Sequence, residues 1–352
     1  MKPVFHDTFL KACRQEPVSR IPVWYMRQAG RYQAEYRVIR AQHHNFFDLC
    51  RDPELCARVT RLPVEHLGVD AAILFSDIMT PLKARGLDVE LVEGTGPVIR
   101  HPFRRAHDLS SLRTLDPDRD LQYVIETVKL LHSQLSVPLI GFAGAPFTLA
   151  SYMIEGGPSK NYHLTKGFMY THPDDWQALM EDLAAMTVSY LKAQIAAGAQ
   201  AVQVFDSWVG ALGAEDYRTF IAPVMRNIFT ALRQTDAVTL YFAAGAGHLL
   251  KEWDKLPVDV LSFDWRTSPQ FIRGMHLSKA VQGNLDPSML LAPFPLLKER
   301  TRQILDVMGC RPGFIFNLGH GLFPEVDEQQ LKRLTDFIHQ YPIYKERSYE
   351  DE

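Results

Sequence analysis

A guanidinium offers two parallel donors that match a carboxylate or a phosphate, so arginines grouped behind one strand invite the question of what anion they hold. Residues 22–40, PVWYMRQAGRYQAEYRVIR, carry Arg27, Arg31, Arg37 and Arg40 directly behind an apolar run. Arg27 and Arg31 flank the short flexible link Gln28-Ala29-Gly30, and their place at a strand end points to a ligand with several negative charges. Arg37 and Arg40 are as readily explained by surface ion pairs with Glu35 and other acids. The net charge of the chain is −3, so the cluster is local. The molecule as a whole is no magnet for nucleic acid or for an anionic membrane.

Other reactive side chains also follow apolar runs. Asp77 ends FSD, Tyr152 ends GAPFTLASY, and Asp206 and Ser207 lie in FDSW. Asp264-Trp265 comes next, then Asn284 and Asp286 in GNLDP, and His320 in NLGHG. Asp77 reads equally as an N-cap or turn acid after Ser76. Asp206 and Asp264 read more readily as acids that tie loop amides.

Absent patterns narrow the chemistry. No lysine ends an apolar run: Lys279 begins one and Lys83 lies beyond a turn, which argues against a Schiff base. The 13 histidines form no HExxH, and none pairs with cysteine at ligand spacing. GFAGAP puts a proline where a dinucleotide loop needs a free amide, and no P-loop lysine pattern occurs. What remains is an arginine-rich pocket with one or two acids, a tyrosine, a serine and a histidine.

The elements that must position these groups show a repeating order of apolar run, polar loop and helical stretch. The runs are IPVWYM (21–26), DAAILF (70–75), PLIGFA (138–143), QAVQVF (200–205), VTLYFA (238–243), DVLSF (259–263), KAVQG (279–283) and FIFNL (314–318). They lack strict alternation, as expected of strands covered on both faces of a parallel sheet. Between them lie helical patterns, clearest over 174–199, where apolar residues return every three or four positions. Eight strands alternating with helices predict an α/β fold, a single-domain (β/α)8 TIM barrel over residues 1–352. In such a barrel the strand ends converge on one face, and the polar residues above gather there. GLDVELVEGTGPVIR (86–100) alternates and turns at Gly94-Thr95-Gly96, predicting a β-hairpin insertion after strand 2. A short N-terminal amphipathic helix and the C-terminal tail are expected at the periphery. Four scattered cysteines, Cys13, Cys50, Cys56 and Cys310, with no C-x-x-C pair, suit a reduced cytoplasmic protein. No apolar run approaches the ~18 residues of a membrane span, and the N-terminus has no signal-peptide core.

Taken together, PVWYMRQAGRY and GFAGAPFTLASYMIEGG resemble the two characteristic segments of the uroporphyrinogen decarboxylase family. FSD, FDSW, QGNLDP and FNLGHG match further along, and the similarity runs from about residue 5 to residue 340. The resemblance implies a cofactor-free, metal-free barrel enzyme of haem biosynthesis, a homodimer, whose small-molecule tetrapyrrole substrate is uroporphyrinogen III. Its four acetate arms would lose carbon dioxide to give coproporphyrinogen III, and its eight carboxylates would answer the arginines. The same resemblance implies that Arg27, Gln28, Ala29, Gly30 and Arg31 bind substrate. Asp77 would face the pyrrole N–H groups, and Phe46, Tyr152, Ser207 and His320 would complete the pocket.

Arg27, Tyr152 and His320 are the candidate proton donors beside Asp77. A guanidinium is a poor acid, and the phenol and imidazole could equally serve only to bind ligand. Ser207 reads as a hydrogen-bond donor, and Phe46 in HHNFFDLC as a pyrrole contact or as core packing beside Phe47. One departure concerns the loop after the fifth strand, where many members carry a lysine and this chain has Ala243 and Ala244. Two alternatives share the scaffold or the ligand. A zinc-dependent corrinoid or coenzyme M methyltransferase would need thiolates after strands five and eight, where this chain has AAGAGH and GHGLF. A non-catalytic tetrapyrrole carrier would have little use for Asp77.

Overall fold

Valine, isoleucine and phenylalanine crowd the apolar runs, and in a computed structural model they pair as parallel strands buried on both faces. The structure describes residues 4–43, 45–92, 94–104, 112–310 and 312–343; the expected peripheral C-terminal tail lies beyond them. The large sheet is made of β1 (Ala72–Ile73), β4 (Leu139–Gly144), β5 (Ala201–Phe205), β6 (Val238–Phe242), β7 (Val260–Ser262), β8 (Ala280–Leu285) and β9 (Phe314–Leu318), adjacent in that order. Every pairing is parallel, with Ile140 opposite Ala201 and Phe205 opposite Phe242. The remaining two strands, β2 (Val89–Val92) and β3 (Gly96–Ile99), form the antiparallel hairpin predicted after the second apolar run.

The first apolar run closes the barrel without becoming a full strand. Its one bridge joins Val23 to Phe316. Phe316 N donates to Pro22 O at 2.9 Å, and Asp70 N donates to Val23 O at 2.8 Å, so residues 22–24 link the two edges of the sheet. The ladder goes no further because Val23 N donates to the Asp70 side chain, at 2.8 Å, instead of a neighbouring carbonyl. Asp70 also accepts from Arg20 at 2.6 Å and lies 2.7 Å from His339 Nε2, so one buried carboxylate ties the closing segment to the last helix, Glu328–His339. Burial works to raise this carboxyl. The His339 ring, Arg20 and the Val23 amide outweigh it and hold it below the usual range.

Helices cover the outside, and their ends follow local chemistry. The helix Pro53–Leu67 starts where Asp52 accepts from Glu54 N and Leu55 N, with Pro53 at the position whose missing N–H costs nothing. The helix Pro173–Ala197 matches the periodic stretch in the sequence. The N-terminal helix, Thr8–Cys13, buries Phe9, Leu10, Ala12 and Cys13.

Inside the barrel the filling is partly polar. Trp24 Nε1 donates to Gln282 Oε1 at 2.7 Å, and Gln282 Nε2 donates to Gln203 Oε1 at 3.1 Å and Ser262 Oγ at 3.0 Å. All four side chains are buried. Two residues nearer the strand ends, Phe205 stands edge-on to Phe142 (5.5 Å between centroids) and to Phe242 (5.8 Å). These rings make an aromatic floor beneath the open end.

Candidate active site

The closing segment leaves the barrel through Arg27, whose φ of 57° is left-handed, a conformation that costs a non-glycine residue roughly 1 kcal/mol. A residue held so invites a functional reading. Space for its side chain comes from the opposite loop: a Cβ on Gly321 would lie 2.4 Å from Arg27 Cδ. Gln28 is fully buried, and both ends of its amide serve the loop, accepting from Tyr25 N and donating to Ala71 O. Its backbone is engaged in the loop as well, donating to Tyr25 O at 3.0 Å and accepting from Tyr32 OH at 2.5 Å. Ala29 and Gly30 are half-buried at the loop's tip, and Arg31 is exposed.

Arg37 and Arg40 do not pair with Glu35. Arg37 Nη1 donates to the carbonyls of Arg31 and Tyr32, both at 2.9 Å, and so buttresses the loop that carries Arg31. Arg40 donates to His43 O at 2.6 Å. Glu35 is taken by Arg58 at 2.6 Å, with His66 at 3.8 Å.

Asp77 is the turn acid that one of its sequence readings expects, and it spends one carboxylate oxygen on that contact. Its Oδ1 accepts from Met79 N at 2.8 Å and shapes the turn that opens the helix Thr80–Ala84. Its Oδ2 accepts no hydrogen bond among the described residues. Enclosure pushes this carboxyl above its ordinary value, against the Met79 amide and the Arg27 guanidinium, which act to lower it.

Tyr152 projects from the helix Pro146–Glu155, which follows β4 and starts on the proline of GFAGAP. Its ring stands edge-on to Trp208 at 5.9 Å, and Trp208 leans on Tyr162 at 5.6 Å, making an aromatic wall. Burial and the Asp77 charge push the phenol up to about 12, despite Trp208 and Arg27. His320 follows β9 with its ring against Phe242 at 6.3 Å. Burial and the charge of Arg27 bring its imidazole down to about 4, so it is neutral at pH 7. The Arg27 charge therefore reaches Asp77, Tyr152 and His320 alike.

The remaining candidates divide. Ser207 is half-buried between Asp206 and Trp208. Asp206 is buried and accepts from Thr148 Oγ1 and Tyr241 OH, both at 2.7 Å, and burial raises it to about 6. Asp264 is buried and accepts from Gly245 N at 2.8 Å and from Arg266. Asp264 ties loop amides, as its sequence reading has it, whereas Asp206 binds two side-chain hydroxyls, one from a helix and one from β6. Asn284 donates to Asp264 O and Thr267 O. Phe46 is half-buried against Phe75 at 5.1 Å and Phe47 at 5.8 Å, packed beside the segment that leads to Asp77.

Residues 205, 208, 242 and 321 were not among the sequence candidates. Phe205 and Phe242 look like core when read along a strand, and Gly321 carries no chemistry of its own. Trp208 was visible in FDSW but drew no role. Among the described residues, no group of three or more His, Cys, Asp or Glu side chains is placed to hold a metal ion, and no helix is long and apolar enough to cross a membrane.

The family described as "Uroporphyrinogen decarboxylase (URO-D)" matches residues 5–341. A protein named uroporphyrinogen decarboxylase from Geobacillus thermodenitrificans is 60% identical over 341 residues, 97% of this chain and 99% of that one. One of the same name from Bacillus subtilis is 56% identical over 341 residues, 97% and 96% of the two chains. A solved methyltransferase from Methanosarcina mazei superposes with a TM-score of 0.78 at 18% identity, covering 94% of this chain and 97% of that one, a likeness of fold alone. The chain belongs to the uroporphyrinogen decarboxylase family.

Proposed function

We propose that this chain removes carbon dioxide from the four acetate arms of uroporphyrinogen III, giving coproporphyrinogen III, with Asp77 as the residue on which the chemistry turns. Losing carbon dioxide from a pyrrole acetate leaves an electron pair on carbon, which needs a sink. A proton placed on the adjacent ring carbon turns the pyrrole into an iminium-like cation. The C–CO2 bond then breaks, its electron pair flows into the ring, the exocyclic methylene takes up a proton to become a methyl group, and the ring carbon gives back the first proton so that the neutral pyrrole re-forms.

A carboxylate lying against the pyrrole N–H groups stabilises that cation, and removing one such preorganised group typically costs ~3 kcal/mol of barrier. The observation that carries the reading is Asp77 Oδ2, unclaimed by any described residue, within reach of the Arg27 charge. Arg27 and Arg31 hold the acid arms, with Ala29, Gly30 and the Gln28 backbone shaping the loop between them. Phe46 and Trp208 bound the ring, and Ser207 and the neutral His320 donate hydrogen bonds to substrate. Tyr152 keeps its proton at pH 7 and is, with Arg27, a group from which the ring carbon can be protonated. A cytoplasmic homodimer that binds neither nucleic acid nor membrane completes the reading, and sedimentation tests the dimer.

Anaerobic incubation with uroporphyrinogen III, with and without chelator, tests the whole. The expected product carries four carboxylates and forms equally in both arms. Substrate bound and returned unchanged would make the protein a carrier, and activity lost to the chelator would favour a zinc enzyme.

A further inference from the structure

The wall between β6 and β7 carries no charge from its first loop, which reads Ala243-Ala244-Gly245. The second loop supplies one. Arg266 follows β7, and its guanidinium lies over the Trp265 ring, 4.3 Å from the centroid, while Nη1 donates to the buried Asp264. Asp264 is itself fixed by Gly245 N and by Arg266 N, so the loop is tied to its neighbour and to its own arginine. On the other side the loop abuts the residues that lead to His320: a Cβ on Gly319 would lie 2.5 Å from Trp265 N. The Arg266 charge is felt at His320, where it adds to that of Arg27 in keeping the ring neutral.

Among the described residues only Nη1 is engaged, while 57% of the side chain is exposed. The unused Nε–Nη2 edge is the one that takes a carboxylate in two parallel hydrogen bonds. Stacking and the Asp264 contact restrict the fork before any ligand arrives, which lowers the entropy lost on binding.

We infer that Arg266 is a further substrate-binding residue, receiving one carboxylate arm of the macrocycle on the β7 side of the mouth. This rests on the decarboxylase reading. It gives the pocket an anchor contributed by a loop outside the segment of Arg27 and Arg31, so that arms on more than one part of the ring are held.

Arg266→Met retains an unbranched chain over Trp265 and removes the fork; Arg266→Lys restores a charge without the paired donors. Steady-state decarboxylation of uroporphyrinogen III by wild type and both variants, with thermal unfolding as a check on folding, separates the possibilities. The expected result is a KM raised about tenfold in Arg266→Met, from the loss of one charge-assisted contact, with partial recovery in Arg266→Lys. The salt dependence of KM should weaken in the Met variant and return with lysine. A KM within twofold of wild type in Arg266→Met overturns the assignment, as does a loss confined to kcat. If Arg266→Met unfolds, Arg266→Lys alone decides: a KM unchanged from wild type overturns the paired contact, and a severalfold rise supports it. A wild type that leaves the substrate intact overturns the decarboxylase reading itself, an outcome distinct from a failure of the Arg266 assignment.

Discussion

Asp77→Asn separates charge from shape. The Oδ1 atom that accepts the Met79 amide at 2.8 Å exists in both residues, and the backbone contact from Thr80 N to Asp77 O does not involve the side chain. The turn is kept and one negative charge is lost. A unit charge about 4 Å from a full cation, at an effective dielectric of about 20, contributes about 4 kcal/mol. A transition state with roughly two-thirds of that charge leaves about 2.7 kcal/mol, or about a hundredfold in rate. Single-turnover decarboxylation under anaerobic conditions should therefore slow about a hundredfold. Separately measured affinity should move less than threefold, because the arms are held by arginines. The pH profile adds a second readout. Enclosure raises the Asp77 carboxyl, so wild-type activity should rise with pH through a value above the ordinary ~3.9 of an aspartate. In Asp77→Asn that limb should disappear. A single-turnover rate within twofold of wild type, or a loss that saturating substrate restores, refutes the electrostatic role.

Gly321→Ala should mimic damage to Arg27, because the new methyl would lie 2.4 Å from Arg27 Cδ and displace a flexible side chain. The expected loss in kcat/KM is about tenfold, from one charge-assisted contact. In an Arg27→Ala background the same change should add nothing, a double-mutant cycle that checks the route of the effect. Asp70→Asn should lower stability at pH 7 by about 2 kcal/mol, because it breaks a buried pair while leaving an acceptor for Val23 N. The Asp70 carboxyl is held below its unfolded value, so its contribution is present above about pH 4 and fades as pH falls through the folded value. Denaturant titrations at pH 7 and pH 3 should show the gap between the two proteins narrowing in acid.

The legible parts of the fold were those set by local pattern. The hairpin turn at residues 94–96 and the long helix follow from alternation and from three-to-four spacing, and both stand within a residue or two of expectation. Of residues 279–283, the least apolar run, all but Lys279 lie in the six-residue strand Ala280–Leu285. The reason is that Gln282 and Asn284 are satisfied inside the barrel and in the loop network, contacts between distant segments that no window of sequence contains. The first apolar run shows the reverse. It carries Trp24 and Tyr25, yet it makes a single bridge, because a side chain far along the chain, Asp70, occupies its amide.

The candidate site divides on similar lines. Residue type and strand-end position were enough to bring Arg27, Asp77, Tyr152 and His320 together. Side-chain direction was not readable: Gln28 looks available in sequence and is turned inward. Nor was the left-handed backbone at Arg27, since nothing about arginine announces it.

The plug of aromatic rings and side-chain amides beneath the mouth means that the path along the barrel axis is a blind end. A macrocycle has one door, and on the proposed mechanism four arms must visit the same carboxylate and the same guanidinium in succession. Each cycle therefore closes with a quarter turn of the ring at the opening, or with departure and return in a new orientation. Partly processed rings with seven, six and five acid groups then exist as separate species between rounds. Their balance at different ratios of substrate to protein measures how often the ring turns before it escapes.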